Sequence, residues 1–543
     1  MRLGPEGALI GTVGLAALVL MLPVVVPIGP MYWDVAVYVD ASQRMTMGQA
    51  PNVDFFAPVG PLAYYAYHWL ARLFGGHPLL TAQFSMLLIA APIMFAVLLR
   101  SRGEDAWKRW ALVVLFAFFA LLPFNTRLFS AFPGVDGFGI YNRHGALLLY
   151  VLASVLLFAR GGWGFAFLVA ATMTALFLLK ITAFLAGGLL CVVALLTGRV
   201  AVRSAVAAVL LFAGALGYLE LTRGLVSAYA ADLLVLGTMN GGGQLFRLLQ
   251  GGSVWIGVLL PGAALVALVA RRGRLFSAVS WWLAGGLAAG LFYESQNTGS
   301  LGFIHMIPIV LRFAPDLKAS SRRTAPILVA LMLVPPIATV ATSAVRAIGG
   351  MIRHDVPDLA LAGPYGRVSA KPETVERAEA MRRHYAEHRS AYRDLASRDL
   401  LPGADTYAEH DFQVLQIATV ASAVKAIRAI ETRPGVRFER MFALNFVNPY
   451  PAALGRGAPR HVSIGADPSR TVPPPDAATL EEVRQTDLVL RPTCPVTSAN
   501  DDLLAFYGSA LLQHVRVELT PCTEAWVHPR FSGLIPSATP GSR

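Results

Sequence analysis

The sequence predicts a polytopic α-helical membrane protein of about eleven transmembrane helices, followed by a C-terminal α/β domain outside the membrane. Three observations predict it. Of 543 residues, 55% are hydrophobic and only 14% charged, far more apolar than a soluble chain. Apolar runs near the ~20 residues needed to cross a bilayer recur through residues 1–348 and then stop. The basic residues between those runs are unevenly divided between alternate loops, as they are in oriented membrane proteins.

The first run, Ala8–Gly29, lacks a small-x-small cleavage site near its end and reads as a retained signal anchor. Further spans are expected at Leu79–Leu99, Trp110–Phe124, Gly145–Ala159, Phe165–Leu179, Ile181–Leu196, Ser204–Leu219, Val254–Ala270, Leu275–Phe292, Phe303–Phe313 and Ala325–Ile348. The 303–313 run is short and recruits residues on either side. With the N-terminus inside, the inner loops collect fifteen Lys and Arg and the outer loops eight. That bias fits the positive-inside rule, and an odd number of crossings then puts residues 349–543 outside.

The net charge of +12 does not mark a nucleic-acid partner. Residues 1–349 carry 23 Lys and Arg against 11 Asp and Glu, whereas residues 350–543 carry 22 of each. The excess therefore belongs to the loops of the apolar half and is a topology signal. The chain contains no C-x-x-C, H-E-x-x-H, P-loop or G-x-G-x-x-G pattern.

The two domains expected are 1–348 in the membrane and 349–543 in the extracytoplasmic space. In the second, Lys371–Leu401 and Asp411–Ile430 read as helices. Arg437–Phe446, His461–Ile464, Leu488–Leu490 and Val515–Leu519 read as strands, with a helical Asp501–His514 between the last two. The Pro/Gly-rich NPYPAALGRGAP stretch is either a surface loop or the lip of a ligand site. Three cysteines form no metal cluster. Cys191 lies in an apolar run, and a Cys494–Cys522 disulfide is expected if this half faces an oxidising compartment.

The polar stretch after the first span, Trp33–Tyr65, carries Asp34, Asp40, Asp54 and Arg44. A helix over Asp34–Gly48 puts Asp34, Val37, Asp40, Ala41 and Arg44 on one side, and Gly48 and Pro51 end it. Its pattern W-D-x-A-x-Y-x-x-A, a Gly, then P-x-x-D-F-F-A-P-x-G-P-L, resembles the first extracytoplasmic loop of the GT-C glycosyltransferases. The similarity is to bacterial members akin to protein O-mannosyltransferases and the aminoarabinose transferase. The resemblance implies a GT-C fold in a bacterial inner membrane and transfer of a sugar from a polyprenyl-phosphate donor to an extracytoplasmic glycan, lipid or protein. It also implies a catalytic acid at Asp34. The family's paired acids are absent, since Val35 follows Asp34, so the base is Asp34 or Asp40.

The chemistry asks for few groups. A carboxylate takes the acceptor's proton as its hydroxyl attacks the anomeric carbon, giving inversion, and positive charge stabilises the leaving phosphate. Arg143, His144, Lys180, Asp54, Glu294 and Asn297 are expected to bind the donor phosphate or the substrate. All lie on the side assigned as outer: Asp54 in the first polar stretch, Arg143 and His144 in Asn125–Gly145, Lys180 at its turn, and Glu294 and Asn297 in Tyr293–His305. Glu220–Gly252 is a further loop assigned to that side. The plainer alternatives are a helix N-cap for Asp34 and an interfacial anchor for Lys180. No cofactor is certain, and a divalent metal remains open. A lipid-linked glycan flippase would instead place charges within the spans, and a non-catalytic scaffold needs no acidic first loop.

Overall fold

The first apolar run does not stay helical to its end. The computed structural model describes residues 4–128, 132–271, 275–296, 299–356, 365–398, 400, 409–468 and 470–533. In it helix α1 covers Pro5–Met21. Pro23 and Pro27 then bracket three valines, and Val25–Pro27 forms strand β1. Proline interrupts a helix and β-branched side chains favour extended backbone. Strand β1 pairs in parallel with β2, Arg367–Ser369, so the two halves of the chain share a small sheet. The single span expected over Ala8–Gly29 is corrected accordingly.

The described chain is mostly helical. After β1 come α2 (Val35–Thr46), α3 (Leu62–Phe74), α4 (Pro78–Ser85), α5 (Leu87–Arg100) and α6 (Ala106–Leu121). Then follow α7 (Ile140–Phe158), α8 (Trp163–Leu179), α9 (Ile181–Leu196) and α10 (Val202–Arg223). The segment expected as an outer loop over Glu220–Gly252 is instead largely helical: it contains α11 (Leu225–Asn240) and most of α12 (Gln244–Val254). Next are α13 (Ile256–Val269), α14 (Ala278–Ser295), α15 (Met306–Ser320) and α16 (Thr324–Arg353).

Five helices among the described residues are long and apolar enough to cross a membrane, and α12 with α13, bent by 86°, makes a sixth if counted as one span. Helix α7 forms the centre and is buried along nearly its whole length, packed by α5, α8, α9 and α15. By contrast α10 turns Val202, Val206, Val209 and Leu210 outward. An apolar stripe of that size is stable when it faces lipid. The protein is an integral membrane protein.

The remaining chain starts with α17 (Pro372–Glu387), α18 (Arg389–Ser397) and α19 (His410–Glu431). It continues with β3 (Met441–Ala443), α20 (Tyr450–Leu454), α21 (Ala477–Arg484), β4 (Leu488–Pro492), α22 (Ser498–Tyr507), β5 (Val515–Thr520) and β6 (Thr523–Val527). Its sheet runs β3-β4-β6-β5, parallel at the first pair and antiparallel at the other two. Residues 461–464 form no strand. Strand β6, unmarked in the sequence reading, pairs on both sides, and all five of its residues are buried. Cys494 and Cys522 are bonded at the end of this sheet.

Because the outer face of α10 meets lipid, a charge there should act as it does in hydrocarbon. Leu210→Arg, at a side chain 66% exposed in the isolated chain, should oppose membrane insertion of this helix by about 2.5–3.5 kcal/mol. A water-facing position would shift by no more than about 0.5 kcal/mol. Glycosylation mapping of α10 in microsomes measures the difference.

Candidate active site

Two strips of backbone lying side by side build the turn that carries Asp34. Val135 N donates to Pro27 O at 2.9 Å and Gly137 N to Pro30 O at 2.9 Å, with Ile28 bridged to Val135. Gly29 and Gly134 meet at this crossing so closely that a Cβ on either would strike the opposing backbone. Met31 then takes a left-handed conformation (φ 48°) and a single 3-10 turn, Tyr32–Asp34, leads into α2. The arrangement brings Asp136 to Asp34.

Asp34 stands at the N-cap position of α2, yet its side chain makes no capping hydrogen bond. Among the described residues its partly buried carboxylate has no hydrogen-bond or ion-pair partner. Burial, with the Asp136 carboxylate nearby, pushes its pKa up to about 8, while Arg143 pulls it back. A carboxyl group so raised is mostly protonated at neutral pH, and its ionised form is a stronger base than an ordinary carboxylate.

Arg143 is fully buried at the start of α7. Its Nε donates to Gln83 Oε1 (3.1 Å), Nη1 to Phe138 O (3.2 Å) and Nη2 to Asp136 O (2.9 Å). It lies 3.9 Å from the Asp136 carboxylate. That carboxylate is itself held by Asn125 Nδ2 (2.5 Å) and Phe138 N (2.8 Å). Desolvation raises the Asp136 pKa, and Arg143 opposes the shift. His144 is buried too, its Nε2 against Gln83 O at 3.2 Å. Both residues expected to meet a phosphate therefore have protein partners.

Lys180 occupies the turn between α8 and α9 in extended backbone. Gly60 N donates to Leu179 O at 3.0 Å, and a Cβ on Gly60 would collide with Leu178 O, so the first loop is fastened to this turn. Lys180 Nζ donates to Asn142 Oδ1 at 2.6 Å and lies 5.5 and 5.4 Å from the ring centres of Tyr141 and Tyr293. Burial lowers its pKa to about 7, with Glu294 holding it up. Glu294 is inside the last turn of α14, where Ser300 Oγ donates to one oxygen. The Trp255 side chain also lies beside this carboxyl group. Tyr141 also adjoins Tyr38, one turn beyond Asp34, and so links the Asp34 and Lys180 groups.

The other acids of the first loop are engaged. Asp40 is buried and paired with Arg44 at 3.2 Å; burial raises its pKa and Arg44 lowers it. Arg44 Nη1 also donates to Pro459 O at 2.8 Å. Asp54 accepts from Ala50 N (2.7 Å) and pairs with Arg460 (3.2 Å). Asn297 lies outside the described residues.

The structure adds residues that the sequence reading passed over. Gln83 serves Arg143 and His144 together, and nothing in its apolar surroundings marks it. Trp33 N donates to Gln413 Oε1 at 2.9 Å, and its ring stacks on Tyr365, so the chain's second half grips the turn before Asp34. Asn142 and Tyr293 could have been found as neighbours of Arg143 and Glu294. The described residues gather no three His, Cys, Asp or Glu side chains able to hold a metal ion.

No protein-family model matches the chain, and no curated protein matches it in sequence. The chain is similar in structure to ArnT from Cupriavidus metallidurans. The crystal structure of ArnT bound to undecaprenyl phosphate gives a TM-score of 0.46 at 14% identity, over 96% of this chain and 98% of that one. Its apo state gives 0.42, also at 14% identity, over 95% and 96%. The archaeal oligosaccharyltransferase AglB from Archaeoglobus fulgidus, in complex with an inhibitory peptide and a dolichol-phosphate, gives 0.35 at 11% identity, over 97% and 75%. Both proteins are GT-C glycosyltransferases.

Arg44→Met should leave Asp40 buried without a cation and Pro459 O without its donor. Breaking one side of a buried pair costs roughly 3–5 kcal/mol. A lowered thermal midpoint and faster proteolysis of the detergent-purified protein would show it.

Proposed function

We propose that this chain is a GT-C-type membrane glycosyltransferase that moves a sugar from a polyprenyl-phosphate donor to an extracytoplasmic acceptor. The observation that carries the reading is Asp34: a carboxylate at a helix start that caps nothing, pairs with nothing among the described residues and has its pKa raised to about 8. The first-loop resemblance assigns the base to this same residue. Asp40, buried against Arg44, is a brace in this reading and not the base.

In the reaction, Asp34 takes the proton of the acceptor hydroxyl. The acceptor oxygen bonds to the anomeric carbon from the face opposite the phosphate, with inversion. The carbon–oxygen bond to phosphate breaks, and polyprenyl phosphate leaves with the electron pair. Lys180 is the cation we assign to that phosphate, because the residue as a whole is partly exposed and its Asn142 bond uses one of three donors. Arg143 and Asp136 set the field around Asp34, and Glu294 partly offsets the burial that lowers the Lys180 pKa. No metal is assigned a role.

The same reading divides the chain at residue 348 and assigns about eleven crossings to its first part. It sets residues 349–543 outside a bacterial inner membrane. The acceptor class stays as broad as a glycan, lipid or protein.

Asp34→Asn tests the proposal, because it preserves shape and removes the proton acceptor. Release of polyprenyl phosphate from a polyprenyl-phosphate sugar should fall by about 10²–10⁴-fold. Expression and membrane insertion should be unchanged. Full activity would overturn the assignment.

The pH profile gives a second test. Transfer needs Asp34 ionised and Lys180 protonated. Below about 7 activity should rise with pH as Asp34 loses its proton, and above about 8 it should fall as Lys180 loses its own. The kcat/KM profile is therefore a narrow bell between those limits. Lys180→Arg, with a cation that does not titrate there, should abolish the alkaline limb and leave a rise that levels off above about 8.

A further inference from the structure

A cleft of about 290 Å³ opens where the C-terminal end of α2 meets the GRGAP segment of the second half, at residues 455–459. Its volume is near the lower limit of small-molecule sites, about 300–1,000 Å³. Gln49, Arg440, Arg456, Arg460, Glu439 and Glu482 line it. The lip is anchored from beneath: Gln43 Nε2 donates to Arg456 O and Gln49 Nε2 to Ala458 O, each at 2.8 Å.

The charges of this wall are balanced one against one. Arg440 faces Glu482 at 3.5 Å, Arg460 faces Asp54 at 3.2 Å, Arg456 faces Glu431 at 3.0 Å, and Glu439 faces Arg437 at 2.7 Å. An anion entering the cleft would meet the glutamates, and a cation would meet the arginines. A lipid tail would desolvate both. The paired groups nevertheless keep unused capacity, since a guanidinium carries five donors and a carboxylate about four acceptor positions. Arg440 and Arg460 are also about half exposed, so these donors reach the cleft. A ligand that uses both kinds of group without adding charge is one whose hydroxyls donate and accept together.

We infer that this cleft binds a neutral, hydroxyl-rich glycan. Helix α2 has 12 residues, so the cleft lies roughly 18 Å from Asp34 at ~1.5 Å per residue. A glycan reaching both positions is an extended chain and not a monosaccharide. The inference deepens the glycosyl-transfer reading by naming the acceptor side, and for that use it rests on it.

Binding without donor separates the two claims. The full-length protein in detergent is applied to an array of neutral and acidic oligosaccharides, together with Asp34→Asn and the double variant Arg440→Ala/Glu482→Ala. That pair is partly exposed, so its loss leaves the fold in place, as the thermal midpoint checks. Wild type and Asp34→Asn should retain the same neutral oligosaccharides, and the double variant should bind them at least tenfold more weakly. Arg460→Ala, on the neighbouring wall, should give a smaller loss in the same glycans. Failure of wild type to retain any neutral glycan, selective retention of acidic ones, or binding unchanged in the double variant would each overturn the assignment. None of those outcomes would affect the role of Asp34, and loss of transfer in Asp34→Asn with binding intact would leave both claims standing.

Discussion

A guanidinium cut off from water must be supplied with protein acceptors, and two such groups organise the region around Asp34. Arg143 and Arg44 are each 0% exposed. Desolvating a charge is costly unless hydrogen bonds replace the water. Arg143 collects its acceptors from α4 and from the backbone of residues 136–138, which folds the strip after α6 back over the start of α7. Arg44 collects Asp40 from its own helix and Pro459 from the second half of the chain. One arginine thus shapes the start of α7 beside the site, and the other joins α2 to the second half of the chain.

Against that background the three acids of the first loop are chemically different. Asp40 shares its burial with a cation, Asp54 with a backbone donor and a half-exposed arginine. Asp34 shares its own with another carboxylate and a guanidinium already committed elsewhere. The same residue type thereby spans a structural brace, a loop fastener and a carboxyl with a raised pKa within 21 positions, the span from Asp34 to Asp54. Surroundings, not spacing along the helix, make that distinction.

How much of this was legible in the sequence follows from how far apart the partners are. Helix α2 is local, and Asp34–Gly48 was expected to be helical on its side-chain pattern; the structure has Val35–Thr46. The apolar runs located most of the membrane helices, because their length and composition are themselves local. Helix α11 was missed, since Asp232 and the following glycines suggested a loop. In the structure Asp232 accepts from Asn52 Nδ2 of the first loop at 2.8 Å. The separation of Asp34 from Asp40 was not legible either. It depends on Pro459, Asp136 and Arg143, and contacts across such separations leave no periodic trace.

The β1–β2 pairing bears on how the protein is made. Strand β1 leaves the ribosome early, but its partner near residue 367 follows more than three hundred residues later, as does Tyr365, 333 positions after the Tyr32 that bonds to it. At translation rates of about 5–20 residues per second, that interval is on the order of tens of seconds. During it the 134–137 strip can already pair with the turn before Asp34, but the valine-rich edge lacks β2 and Tyr32 lacks Tyr365. The nascent chain therefore carries an incomplete centre for most of its synthesis, and a polypeptide stopped before β2 would retain its membrane helices without a closed site.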